Sequence, residues 1–279
     1  MHHFLSYITW NVNPDIFTIP FLNHPVRWYG LSWALGFLLS QQVMFYIYKK
    51  EGRPAKEVDD LTVYMLIFTI VGARLGHCLF YDPVYYLSNP LRILAIWGGG
   101  LASHGATIGI LTGLYLFARK TKVAWLWIVD RLVIVSALTG AFIRLGNLMN
   151  SEMIGIPTNV PWAFIFTSHD NVPRHPAQLY EALYCFVIFF FLFYLWSKKP
   201  TQTQDGFQFG LFLIVLFSLR FVDEFFKISQ EAFEDTMILN MGQILSIPFI
   251  LIGIGLLIYS SRNKNHNGVP LSETKPKPA

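Results

Sequence analysis

Charge is what this sequence has least of. Only 14% of its 279 residues are Asp, Glu, Lys or Arg, against about 25% in soluble domains, while 53% are hydrophobic and 16% aromatic. A water-soluble fold has no means of hiding so much apolar surface, so that class is excluded. Cysteine is also scarce. Cys78 and Cys185 stand far apart inside apolar segments, without the paired spacing of a metal or redox site, and both read as buried thiols. The N-terminus carries His2 and His3 where a signal peptide has a basic n-region, and no small-residue cleavage site follows an apolar stretch. The first helix is therefore expected to be retained. The net charge of +4 is modest, and its lysines and arginines cluster beside apolar blocks. That arrangement suits membrane topology and gives no reason to expect nucleic-acid binding.

What the sequence has instead is a series of apolar blocks, each close to the length of about 20 residues needed to cross a bilayer. They cover 29–48, 61–80, 104–118, 125–143, 179–196, 207–226 and 241–259. They predict an all-α, polytopic integral membrane protein with about seven transmembrane helices. One set of loops holds Lys49, Lys50, Arg53 and Lys56, then Arg119, Lys120 and Lys122, then Lys198 and Lys199, then Arg262 and Lys264. The other set holds few basic residues: Arg27, Arg92, Arg174 and Lys227. Since short basic loops stay in the cytoplasm, the N-terminus is expected outside and the C-terminus inside, with 83–101 and 147–178 outside. Residues 1–260 read as a single transmembrane domain. Residues 261–279 read as a short, polar, disordered cytoplasmic tail.

Several charges fall within these apolar blocks or at their ends: Arg74, Asp130, Arg131, Arg144, Glu181, Arg220, Asp223 and Glu224. A central Arg or Asp costs about 2.5–3.5 kcal/mol on insertion scales, so such groups must be paired, interfacial or turned to a polar cavity. Arg131 with Asp130 reads as a structural ion pair. Arg220 and Glu224 lie four apart and share one helix face.

Three stretches concentrate polar chemistry. GAFIRLGNLMNSEMIG (140–155) carries Arg144, Asn147, Asn150 and Glu152. Arg144 and Asn147 are three apart, so on a helix they face the same way, and a guanidinium beside a carboxamide suits an anionic phosphate. Glu152 is expected to hold the arginine in place. GGGLASHGATIG (98–109) surrounds His104 with glycines that permit close ligand approach, at a helix N-terminus that attracts anions. RHPAQLYEAL (174–183) opens the fifth span at Pro176 with Arg174, His175, Gln178, Tyr180 and Glu181, and reads as a structural hydrogen-bonded network ahead of a direct catalytic group. A four-residue echo links Arg74-Leu75-Gly76-His77 to Arg144-Leu145-Gly146-Asn147, which is too short to establish a duplication.

Together with WYGLSWALGF (28–37), RFVDEFFK (220–227) and MGQILSIP (241–248), these stretches resemble the prolipoprotein diacylglyceryl transferase family across all seven spans. The resemblance implies an enzyme of the bacterial cytoplasmic (inner) membrane. Its reaction moves the sn-1,2-diacylglyceryl group of phosphatidylglycerol to the thiol of the lipobox cysteine in a preprolipoprotein signal peptide, forming a thioether and releasing glycerol 1-phosphate. It implies no metal and no cofactor, and as partners these substrates and membrane lipids, with no nucleic acid. By position it implies catalytic roles for His104, Arg144, Arg220 and Glu224. Phosphatidylglycerol binding falls to Arg144, Asn147, Glu152, Gly155 and Tyr29. Two positions depart from the family pattern: Ala106 stands where a second glycine commonly follows His104-Gly105, and Lys227 stands where arginine is frequent. The rival reading is an intramembrane anion or proton transporter, which requires charges at mid-depth and repeat symmetry.

Overall fold

The computed structural model describes residues 7–20, 24–95, 100–198, 204–228, 234 and 237–262. His2, His3, Gly98, Gly99, Lys199, Lys264 and tail residues 263–279 lie outside the described residues. A backbone in hydrocarbon must satisfy its own hydrogen bonds, which apolar runs of this length do by forming helices. All seven expected blocks are helical: α1 (Trp28–Lys50), α2 (Ala55–Phe80), α4 (Ser103–Thr121), α5 (Trp125–Met149), α6 (Ala177–Lys198), α7 (Phe207–Asp223) and α8 (Met241–Arg262). A short α3 (Pro83–Ser88) and a 3-10 turn (Pro90–Leu94) follow α2, and a second 3-10 turn (Glu224–Phe226) follows α7. Among the described residues, five helices, α1, α2, α5, α6 and α8, are long and apolar enough to cross a membrane. Helix α7 has 17 residues, and α4 has 19 and ends in Arg119 and Lys120. The chain is a mostly helical integral membrane protein, and outward-facing Leu38, Ile67, Phe190 and Leu251 give it an apolar lipid-facing surface.

The described residues form two compact units. The second, Phe45–Val129, is built on the pairing of α2 with α4. Glycines set that contact. A methyl at Gly76 would lie 2.7 Å from the Gly105 Cα, and one at Gly72 or Gly109 would strike the backbone of the facing helix. Small residues let membrane helices approach this closely, where van der Waals packing holds them together. Gly105 and Gly109, expected from the sequence to serve ligand approach, are therefore packing residues.

The first unit, Met1–Met44 with Asp130–Asn265, holds α6, α7, α8 and most of α5. Besides the pairing with Arg131 expected from the sequence, the Asp130 carboxylate accepts the backbone N–H groups of Gly206 (2.7 Å) and Phe209 (2.8 Å). It thus caps the N-terminus of α7, whose first amides have no partner inside the helix. The all-α expectation needs one amendment. Strand β1 (Ile8–Trp10) runs parallel to β4 (Phe164–Phe166), which pairs antiparallel with β5 (Pro173–Arg174), while β2 (Asp15–Ile19) and β3 (His24–Arg27) form a hairpin. The three-stranded sheet packs Phe164, Phe166 and Trp10 against Leu148 and Ile154, and Trp10 Nε1 donates to the Leu148 carbonyl at 3.0 Å. This cluster anchors the end of α5 and the chain just beyond it.

Candidate functional site

Helix α5 runs to Met149, so Arg144 and Asn147 belong to its last turns and not to a loop. The chain then turns sharply. Asn150 N–H donates to Gly146 O and Glu152 N–H to Asn147 O, with Ser151 (φ 54°) and Met153 (φ 57°) in the left-handed region. Two such residues without glycine cost of order 1–3 kcal/mol each, and strain of this kind is held where the surroundings enforce one geometry. Here the enforcing group is Glu152. Its carboxylate accepts Asn147 Nδ2 at 3.2 Å and Asn150 Nδ2 at 3.1 Å, and its carbonyl accepts the Gln178 amide.

Glu152 is therefore not what holds Arg144. That partner is Glu181 on α6, whose Oε2 lies 2.6 Å from Arg144 Nε. Sequence proximity favoured Glu152, but its carboxylate is engaged by the two asparagines. Glu181 is 1% exposed, and its Oε1 accepts Lys227 Nζ at 2.6 Å. Lys227, 4% exposed, also reaches Glu224 Oε1 (3.3 Å) and Asp223 Oδ2 (3.5 Å). Glu224 in turn lies 3.7 Å from Arg220 Nη2 and accepts Asn240 Nδ2 at 3.2 Å. Gly242, in the first turn of α8, leaves room for this carboxylate, since a methyl there would sit 2.5 Å from Glu224 Cδ. Asn240 and Gln243 cap α8 reciprocally, Gln243 N–H to Asn240 Oδ1 at 2.9 Å and Asn240 N–H to Gln243 Oε1 at 3.1 Å.

Three cations (Arg144, Arg220, Lys227) thus meet three carboxylates (Glu181, Asp223, Glu224) in one connected network. Their exposure divides the labour. Lys227 is enclosed by carboxylates, whereas Arg144 and Arg220 keep 23% and 37% of their side chains exposed. Such an arrangement neutralises its buried part and presents two guanidinium groups whose planar forks suit phosphate oxygens. Lys227 acts as an internal counterion, which removes it as a phosphate ligand.

Tyr29, in the first turn of α1, packs on Gly146 one turn from these groups, and a methyl at Gly146 would come within 2.9 Å of Tyr29 Cδ2. Gly155 is a junction: its N–H donates to His175 O (3.0 Å), it bridges antiparallel to Lys227, and its carbonyl accepts Arg174 Nη1 (3.3 Å). A methyl there would lie 2.5 Å from His175 O and 2.6 Å from Phe226 O, both backbone atoms. Gly155→Ala should therefore part the 155 and 227 segments and displace Lys227 and Glu224. Overpacking of this kind costs about 1–3 kcal/mol, and a lower thermal midpoint with at least a tenfold fall in initial rate is expected. Wild-type values of both would contradict the junction role.

The third cluster is a hydrogen-bonded network. Tyr180 Oη lies 3.0 Å from His175 Nδ1 and accepts Trp162 Nε1 at 2.8 Å, and Arg174 Nε donates to Asp170 Oδ2 at 3.0 Å. Those Arg174 hydrogen bonds hold the Asp170 carboxyl below its ordinary range. Burial lowers the His175 imidazole below its ordinary 6.5. Folding thus favours neutral His175, and the unfolded chain takes up a proton at higher pH than the native one. The associated stability is intact above about 6.5 and declines as pH falls below it. Melts in detergent from pH 7.5 to 5.0 should show a midpoint drop that shrinks in His175→Gln; an equal drop in both proteins would contradict the assignment.

His104 lies in the second unit, exposed in the first turn of α4. The sequence reading missed Glu181 as the central carboxylate, Asp223 as a Lys227 partner and Asn240 with Gln243 as the α8 cap. Only the Asn-x-x-Gln pattern at 240–243 was a local signal for any of them. Among the described residues no group of three or more His, Cys, Asp or Glu is placed to hold a metal ion.

The family model for prolipoprotein diacylglyceryl transferase matches residues 14–259. A protein of Tolumonas auensis named phosphatidylglycerol–prolipoprotein diacylglyceryl transferase is 48% identical over 256 residues, covering 91% of this chain and 98% of that one. Proteins of the same name from Chloroherpeton thalassium and Bacteroides fragilis are 45% and 43% identical, covering 92% and 95% of this chain and 95% and 99% of theirs. A match of this extent, running through every element of the charged network, means that the chain belongs to the prolipoprotein diacylglyceryl transferase family.

Proposed function

We propose that the protein transfers the sn-1,2-diacylglyceryl group of phosphatidylglycerol to the thiol of a lipobox cysteine in a preprolipoprotein signal peptide. The peptide sulfur attacks the glyceryl carbon that carries the phosphate, a C–S bond forms and the C–O bond to phosphate breaks. Glycerol 1-phosphate leaves with the bonding electrons, and the thiol proton passes to a base. Beside family membership, the observation that carries this reading is the division of the network into an enclosed Lys227 and two partly exposed arginines. Arg144 and Arg220 stabilise the charge that grows on the departing phosphate, an effect strongest where water is scarce. Asn147 hydrogen-bonds the headgroup beside Arg144, and Glu152 shapes the turn that presents it. Glu224 orients Arg220, Tyr29 supports the α5 end, and Gly155 ties the turn to Lys227.

A free cysteine thiol near 8.5 is only a few per cent thiolate at pH 7, so the substrate needs a base. His104 fills that role. His104→Gln should reduce turnover by about 10² to 10⁴, and near-normal turnover in a folded variant would remove His104 from the chemistry.

The setting is the bacterial cytoplasmic (inner) membrane. The chain crosses it seven times as one transmembrane catalytic domain over 1–260, with the N-terminus outside and a cytoplasmic tail over 261–279. Transport is the weaker reading, because the charges gather at helix ends: Arg144 five residues before the end of α5, Glu181 in the second turn of α6, Asp223 at the end of α7. Mass spectrometry of a lipobox peptide incubated with the purified protein and phosphatidylglycerol tests the function. A diacylglyceryl mass gain on cysteine is expected; an unmodified peptide with folded protein would overturn it.

A further inference from the structure

We infer that Arg74 is a positioning residue: its guanidinium staples the main chain at residues 92, 93 and 100 to α2, and so fixes the point from which α4 presents His104. The inference rests on the reading of His104 as a participant in the reaction. Arg74 is 5% exposed, and its Nε, Nη1 and Nη2 each donate to a main-chain carbonyl. Its Nε donates to Ile93 O (2.8 Å), Nη2 to Arg92 O (2.6 Å) and Nη1 to Gly100 O (3.1 Å), and its Cζ lies 5.0 Å from the centre of the Tyr86 ring. One planar group thus holds two chain positions that are separated by several residues in sequence. A guanidinium does this better than an ammonium, because its donors are fixed in one plane.

The contacts continue to the start of α4. Ala102 N–H donates to Ala73 O at 2.9 Å, and Gly105 packs on Gly76. Residues 73, 74 and 76 of α2 therefore meet residues 102, 100 and 105, and His104 lies between the last two. Gly100 (φ +71°) is shaped for the staple: a methyl there would sit 2.8 Å from Arg74 Nη1 and 2.6 Å from the His77 ring. The Arg-Leu-Gly echo between 74–76 and 144–146 is thus a likeness of sequence with divergent use. Arg144 reaches a carboxylate and Arg74 reaches carbonyls, while Gly76 and Gly146 both receive a packed neighbour.

The test compares Arg74→Lys, and independently Gly100→Ala, with wild type in detergent with phosphatidylglycerol and a lipobox peptide. A misplacement of about 1 Å can cost about 10²-fold in rate. Both variants should lose about 10- to 100-fold in kcat with KM for phosphatidylglycerol within about twofold of wild type. Amide exchange in the peptide spanning 100–106 should quicken at least tenfold while that of α8 stays unchanged. Arg74→Lys/His104→Gln should be no slower than His104→Gln alone, because both changes act through one group. A raised KM with unchanged kcat would make Arg74 a headgroup ligand and overturn the inference. Faster exchange throughout the protein would make it a general stabiliser and overturn it as well. If His104→Gln alone turns over normally, the His104 reading fails, and unchanged exchange at 100–106 would then be what overturns the staple.

Discussion

Arg144→Ala is expected to lower turnover by about 10² to 10³-fold while leaving the protein folded, the loss seen when one donor to a developing oxyanion is removed. The guanidinium reaches Glu181 through Nε, and the side chain keeps 23% of its surface exposed. Its removal takes away a phosphate donor and leaves Glu181 with Lys227, so the buried carboxylate still has a cation at 2.6 Å. That remaining pair is why activity should fall far more than stability. Arg144→Lys separates charge from shape: an ammonium restores the charge without the fork, and recovery of no more than about tenfold is expected. Initial rates of glycerol phosphate release, set beside thermal midpoints, check both variants. A folded Arg144→Ala protein with wild-type rate would show that phosphate is stabilised elsewhere.

Glu181→Gln is expected to have the largest combined effect. The Glu181 carboxylate is 1% exposed and lies between Arg144 Nε and Lys227 Nζ, each at 2.6 Å. Removing one partner from a buried ion pair costs up to about 3–5 kcal/mol; here Lys227 keeps Glu224 (3.3 Å) and Asp223 (3.5 Å), so the loss falls mainly on Arg144. The thermal midpoint should fall, and Arg144 loses the anchor that aims it, so the rate should fall at least tenfold per folded molecule. Glu181→Leu combined with Lys227→Met removes one charge of each sign but also takes the cation from the buried Asp223 and Glu224, so it should be less stable than Glu181→Gln. It should not regain activity, because Arg144 still lacks its anchor. If Glu181→Gln melts and turns over like wild type, the network does not centre on this residue.

The helices were legible because hydrocarbon demands about 20 consecutive apolar residues, and all seven such runs became helices. The polar cluster at 144–155 was legible because its members sit within 12 residues and face one turn. The Arg144 partner was not legible, because Glu181 lies on another helix and nothing local distinguished it from Glu152. The parallel pairing of β1 with β4 was hidden for the same reason: two three-residue strands from distant parts of the chain carry no local signature. The glycines around His104 signalled close approach correctly, but what approaches Gly105 is the backbone of α2. Lys227 read as a weaker stand-in for arginine, whereas its compact ammonium fits between three carboxylates.

The measurement that bears most directly on the central claim follows glycerol phosphate released by the purified protein in phosphatidylglycerol micelles with two lipobox peptides, one bearing cysteine and one bearing serine at the acceptor position. Release equal in amount to the cysteine peptide modified, with none from the serine peptide and none without peptide, is the expected result. Release that continues without a thiol, or none at all from folded protein, would contradict transfer to the lipobox cysteine.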